Sequence, residues 1–234
     1  QEGEQSGGLV KGDIMVKINM NGENIIDEMM NFSLKSGSST VAGLSPFKGL
    51  LDVMSQLNVK LPQRESRYRR LLGDLLSSAR SPAEKRAKVK LSGMFFTDVM
   101  NGIDAASRNN PRAFKAGLFN VMKRATFGTD LANVIDVDKT TIKEITVDHI
   151  NELEATTGNL RVEKAPSGYS LGGQAITGRR FFMTGPAAPK GHLLQFRFKF
   201  RPGDEQKIYK ELKLQILLGG GAYLPKADKN KKKR

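Results

Sequence analysis

Apolar residues repeat at helical spacing between residues 45 and 126 and at every second position from 140 onward. One stripe of a helix needs i, i+3, i+4 spacing and one face of a strand needs i, i+2, so the change of period divides the chain. Helices followed by strands are an α+β pattern, because βαβ units would interleave the two periods. With 234 residues the chain can bury a core without disulfides or metals.

The helical part is punctuated by caps. Ser45-Pro46 reads as an N-cap with proline at the first helical position, followed by a stripe of Phe47, Leu50, Leu51, Met54 and Leu57. Ser66 opens a second helix with Tyr68, Leu71, Leu72, Leu75, Leu76 and Ala79 on one face. Ser81-Pro82-Ala83-Glu84 is a capping box for a third, with Gly93 as its stop or kink. A helix over 94–106 follows, and Asn110-Pro111 starts another with Phe114, Leu118, Val121 and Met122 inward. Four to five short helices are therefore expected, arranged as a bundle.

The strand signals begin with a β-branched run over 140–148 and short segments at 160–164 and 175–184. They are clearest at 194–201, where Leu194, Phe196, Phe198 and Phe200 alternate with Gln195, Arg197, Lys199 and Arg201. After a Pro202-Gly203-Asp204 turn, Leu212, Leu214, Ile216 and Leu218 alternate with Lys213 and Gln215. The pair predicts an antiparallel hairpin with one apolar and one basic face. Gly219–Gly221 breaks the second strand.

The expected organisation is an N-terminal strand and Gly/Ser-rich linker (1–44), a helical region (45–128), a mostly antiparallel β-rich region (129–225) and a disordered basic tail (226–234). Residues 9–19, read as the N-terminal strand, resemble the strand of PDZ domains in which Gly12-Asp13 precedes alternating apolar residues and Asn19. The resemblance ends there: the carboxylate-binding loop that precedes that strand has no counterpart in residues 1–8, and Met20-Asn21 intrude before Gly22. The chain begins at Gln1, which points to a processed or truncated product.

Catalytic patterns are sparse. With no cysteine there is no disulfide framework, thiolate metal site or cysteine nucleophile, in keeping with a reducing compartment. His149, at the end of a strand-like run, and His192, in a Gly/Pro loop, have no serine or carboxylate partner placed near them, and no G-x-S-x-G elbow occurs. No phosphate-loop or dinucleotide fingerprint is present. Asp136 and Asp138 have the spacing of a Mg²⁺ pair but lack a third ligand, so loop solvation or capping is the favoured reading and no catalytic residue, metal or cofactor is assigned. No apolar run is long enough to span a membrane and no secretory signal is read.

Charge is the informative feature. The chain carries a net +14. Residues 60–90 hold ten Lys/Arg against three acids, and residues 226–234 hold six against one, so these two segments carry +12 of it. Segments 1–34 and 128–163 are acidic, and such polarity steers polyanions to particular faces. The first cluster is Arg64, Arg67, Arg69, Arg70, Arg80, Lys85, Arg86, Lys88 and Lys90, which straddles two helix starts and is arginine-rich in its first half, as suits bidentate phosphate contacts. The second is the sheet face of Arg197, Lys199, Arg201 and Lys213, joined by Arg179 and Arg180. The third is the tail with Lys231, Lys232, Lys233 and Arg234, read as a polyanion tether. Phe196, Phe198 and Phe200 fall on the parity opposite the basic residues, so the sheet face suits phosphate more than base reading.

The sequence therefore points to a non-enzymatic, sequence-tolerant nucleic-acid-binding structural protein of the nucleocapsid or capsid kind, with RNA preferred over DNA and a homo-oligomer expected. The alternative is a peripheral matrix-type protein that assembles on anionic lipid through the same basic faces. Basic composition with no Cys or Trp, a helical part and a sheet part is similar in texture to such proteins of RNA viruses. An intracellular place, cytoplasmic, nuclear or within a virion, is expected. An enzyme acting on nucleic acid through Asp136 and Asp138 is the third and weakest reading.

Overall fold

The computed structural model of the chain describes residues 14–16, 30–36, 40–44, 48–61, 81–127, 133–138, 141–156, 158–199 and 213–224. Their architecture is α+β, with four helices and mostly antiparallel strands. In chain order the elements are β1 (Ile14–Val16), β2 (Met30–Ser36), β3 (Thr40–Leu44), α1 (Lys48–Gln56), α2 (Pro82–Asn109), α3 (Pro111–Phe127), β4 (Asn133–Asp138), β5 (Thr141–Ile145), α4 (Val147–Ala155), β6 (Leu160–Leu171), β7 (Gln174–Met183), β8 (Leu194–Lys199) and β9 (Lys213–Leu218). A short 3₁₀ turn, Gly220–Ala222, follows β9.

The strands form two sheets. One has the order β1-β2-β4-β5 and the other β3-β9-β8-β7-β6. All ladders are antiparallel except β2 with β4. The expected β8–β9 pair is present, with Phe196 opposite Ile216 and Phe198 opposite Leu214. Residues 35–43, expected as a linker, instead contain the end of β2 and most of β3, and β3 closes the edge of the larger sheet beside β9. β6 runs for 12 residues where a short strand was expected, and its register slips between Lys164 and Gly168.

The cap expected at Ser81 forms. Ser81 Oγ accepts from the Glu84 amide at 3.2 Å, and Pro82 occupies the first turn. The helix then passes through Gly93 and continues to Asn109, so the two short helices expected on either side of that glycine are one 28-residue helix. Gly93 is small for a tertiary reason: a Cβ there would fall on the carbonyl oxygen of Leu171 at the tip of the β6–β7 hairpin. Gly172 answers from the other side, with φ +58° and the Lys90 backbone where its Cβ would sit. Two glycines thus let the hairpin tip rest on the helix backbone.

α2 and α3 cover the inner face of the larger sheet. Phe96 meets Phe198 at 4.5 Å between ring centroids, Phe181 meets Phe196 at 4.8 Å, and Phe114 meets Phe181 at 6.1 Å. These rings are almost fully buried, and each contributes roughly 1.5–3 kcal/mol through its removal from water. Leu50, Met54 and Leu57 of the α1 segment and Phe114, Leu118, Val121 and Met122 of α3 join the same continuous core, as their stripes predict. Residues 66–79, expected as a helix, and 226–234, expected as a tail, lie outside the described residues.

The β-branched run at 140–148 divides into strand and helix. β5 ends at Ile145, and Thr146 caps α4 by accepting from the His149 amide at 3.1 Å. His149 therefore sits in the first turn of a helix and not at the end of a strand. None of the described helices is long and apolar enough to cross a membrane.

Candidate anion-binding surfaces

The ladders of the larger sheet decide which basic side chains share a face. Leu194, Phe196 and Phe198 of β8 lie opposite Leu218, Ile216 and Leu214 of β9 and point into the core. The intervening positions face the other way. On this outer side Arg180 lies opposite Gln195 and Arg197 opposite Gln215, while the backbone register continues to Lys199 against Lys213. The two arginines are held by amides: Arg180 Nε donates to Gln195 Oε1 at 3.0 Å, and Arg197 Nε and Nη2 donate to Gln215 Oε1 at 3.1 and 2.7 Å. Glutamine orients a guanidinium without neutralising it, and Glu163, the register partner of Arg180 on β6, is paired with Arg161.

At one end of this face the sequence reading missed a cluster. Arg161 on β6 is opposite Phe182 on β7, and its guanidinium carbon lies 5.1 Å from the centre of that ring. Glu163 pairs with Arg161 at 3.1 Å in an exposed ion pair. The His192 ring also neighbours Phe182, 5.8 Å away between centroids and tilted by 60°. His192 is fixed by its neighbours, since Gly221 N donates to its carbonyl at 3.0 Å and a Cβ on Gly219 would strike that carbonyl. Burial first, and then the charge of Arg180, push the His192 imidazole below its ordinary pKa. The signal for Arg161 was the alternation of Leu160 and Val162 with Arg161 and Glu163. That for Phe182 was its shared parity with Arg180.

Two expected anion contacts belong to the interior. Arg179 is 3% exposed, and its Nε and Nη2 each donate to the Asp104 carboxylate at 2.7 Å. Its Nη1 donates to the Thr177 and Gly178 carbonyls. That guanidinium is committed to joining α2 to the sheet. Lys88 is 6% exposed and paired with Glu84 at 3.0 Å along α2, so it is withdrawn from the basic surface as well.

The remaining members of the α2 cluster line a cleft. Lys85, Arg86, Val89 and Lys90 from the first turns of the helix and Gly172 from the hairpin tip enclose about 350 Å³. This cleft lies at the opposite end of the β6–β7 hairpin from Phe182. Arg64, Arg67, Arg69, Arg70, Arg80, Arg201, Lys231, Lys232, Lys233 and Arg234 lie outside the described residues.

His149 is lowered in pKa, with burial outweighing the opposing pull of Glu152 and of a backbone hydrogen bond with Tyr223. Its Nε2 is buried with no hydrogen-bond partner among the described residues. Asp136 and Asp138 fall in β4, where the backbone register sets Asp136 against Lys35 and Lys143. No group of three or more His, Cys, Asp or Glu side chains that could hold a metal occurs among the described residues. Comparison with family models, curated proteins and solved structures finds no match for this chain.

Proposed function

We propose that the chain is a non-enzymatic structural protein that binds nucleic acid, RNA ahead of DNA, through the phosphate backbone and with little regard to sequence, as a nucleocapsid or capsid component does. The observation that carries this reading is the outer face of the larger sheet, where Arg180 and Arg197 are held by Gln195 and Gln215 instead of by carboxylates. Guanidinium groups that are aligned and still charged suit phosphate oxygens. The cleft at Lys85, Arg86 and Lys90 adds a second phosphate contact, and the lysine-rich end of the chain serves as a tether. Assembly into a homo-oligomer would place many such faces along one strand, which compensates for modest affinity at each.

A second reading has its own observation. Leu91 and Met94 are exposed at 38% and 44% on α2, within four residues of Lys90. Apolar side chains beside a basic cluster can enter an anionic bilayer surface, as a matrix-type protein would require.

A salt titration of binding to fluorescent single-stranded RNA, with anionic vesicles as competitor, separates the two. The nucleic-acid reading expects submicromolar binding, a steep salt dependence and little competition from vesicles. Weak RNA binding that vesicles abolish would favour the matrix reading, and no binding to either would remove both.

A further inference from the structure

The phosphate contacts leave one ring on the outer face unused. Phe182 follows Phe181, whose ring is in the core, so strand parity turns Phe182 to the same side as Arg180. It is half-buried, with the Arg161 guanidinium over the ring and His192 on its flank. We infer that this face holds unpaired nucleotides, with a nucleobase taking the place of the Arg161 guanidinium on the Phe182 ring and that guanidinium moving to the adjoining phosphate. The inference rests on the nucleic-acid reading and adds that a base plane is recognised as well as the backbone.

The cover on the ring is exchangeable. Arg161 is 59% exposed and is tied to Glu163, itself 43% exposed. A pair in that much water holds its geometry weakly. A guanidinium is flat and delocalised and stacks on aromatic faces as a nucleobase does, so a base can compete for the same ring. The other neighbours of the ring are firmer. His192 is held through its carbonyl by Gly221, and its lowered pKa keeps the imidazole neutral at pH 7, an uncharged polar edge beside the base. Arg180 lies two positions before Phe182 on the same strand and face, oriented by Gln195, and reaches the next phosphate. A bilayer is a poorer occupant, because the large apolar side chains exposed among the described residues, Leu91 and Met94, are on α2 and not on this face.

The chain contains no tryptophan, so Phe182→Trp installs a single reporter at the proposed stacking position. An unpaired adenosine oligomer should quench its emission at saturation, whereas duplex RNA of equal length and inorganic polyphosphate should bind without quenching. Phe182→Leu, which keeps apolar bulk and loses the ring, should weaken binding to the unpaired oligomer by about 5- to 150-fold, the equivalent of one base–aromatic stack, with polyphosphate binding unchanged. Wild-type affinity in Phe182→Leu together with an unresponsive Trp would overturn the inference, and salt-sensitive RNA binding retained in both would leave the nucleic-acid reading standing. A blue shift of the Trp with phosphatidylserine vesicles would overturn it in favour of a membrane. Absence of RNA binding by the wild-type chain would remove the reading and the inference together.

Discussion

Arg179 and Arg180 are neighbours in sequence with opposite duties. Arg179 points inward, where its fork matches the Asp104 carboxylate and its third nitrogen satisfies a backbone carbonyl. Arg180 points outward and keeps its charge for the surface. Removing the Arg179 guanidinium would leave a carboxylate without its partner, at a cost of about 3 kcal/mol for a pair this buried. Arg179→Ala should therefore lower stability by that amount in urea unfolding, with no change in the salt slope of RNA binding for the folded fraction. A stable variant with a shallower slope would show that Arg179 is a phosphate contact after all. Period-two parity placed Arg197 on the outer face correctly. It could not reveal that Arg179 finds Asp104 across 75 residues, which depends on what packs above the strand; the Glu84–Lys88 pair is local i,i+4 spacing, and only the burial of Lys88 needed the fold.

Among elements, the contact between α2 and the β6–β7 hairpin is the one that local rules misread. Glycine inside a helical pattern costs about 1 kcal/mol relative to alanine, which is why Gly93 looks like a stop. Here the missing Cβ is what lets the hairpin tip approach, because the Leu171 carbonyl occupies its place. Gly93→Ala thus gains roughly 1 kcal/mol in helix propensity and loses about 1–3 kcal/mol by overpacking against backbone that has little room to move. A net fall in melting temperature is expected, and a rise would mean that the hairpin yields. Elsewhere the elements were legible where burial is one-sided: β8 and β9 alternate cleanly, and the stripes of α1 and α3 lie in the core. The period-two signal of Met30, Phe32 and Leu34 in β2 is obscured by the Gly/Ser-rich residues after it. α4 is obscured because the β-branched run of β5 continues directly into the Thr146 cap.

For the whole molecule, α2 and α3 occupy one side of the larger sheet, and Arg180, Gln195, Arg197 and Gln215 face away from them. Composition made the excess of positive charge legible, but the ring at Phe182 and the cover of Arg161 needed the register of the ladders. Stability should also carry a signature of the two histidines. Both bind protons less readily folded than at their ordinary pKa of 6.5, so the unfolded chain is protonated first as pH falls. The stability they contribute is therefore intact above about pH 6.5 and declines as pH drops below it. Melting temperature should fall between about pH 7 and 5.5, and the fall should be shallower in a His149→Asn/His192→Gln variant. An identical decline in that variant would assign the effect to other groups.

The central claim is that the outer sheet face holds phosphates, and the salt dependence of RNA binding tests it most directly. On single strands each lost phosphate contact removes about 0.7 from the slope of log affinity against log salt. An Arg180→Ala/Arg197→Ala variant should remain cooperatively folded, with its unfolding midpoint lowered only by the lost partners of Gln195 and Gln215, and bind single-stranded RNA with a slope shallower by about 1.4. A folded variant whose slope and affinity match the wild type would contradict the account and move the binding surface away from this sheet.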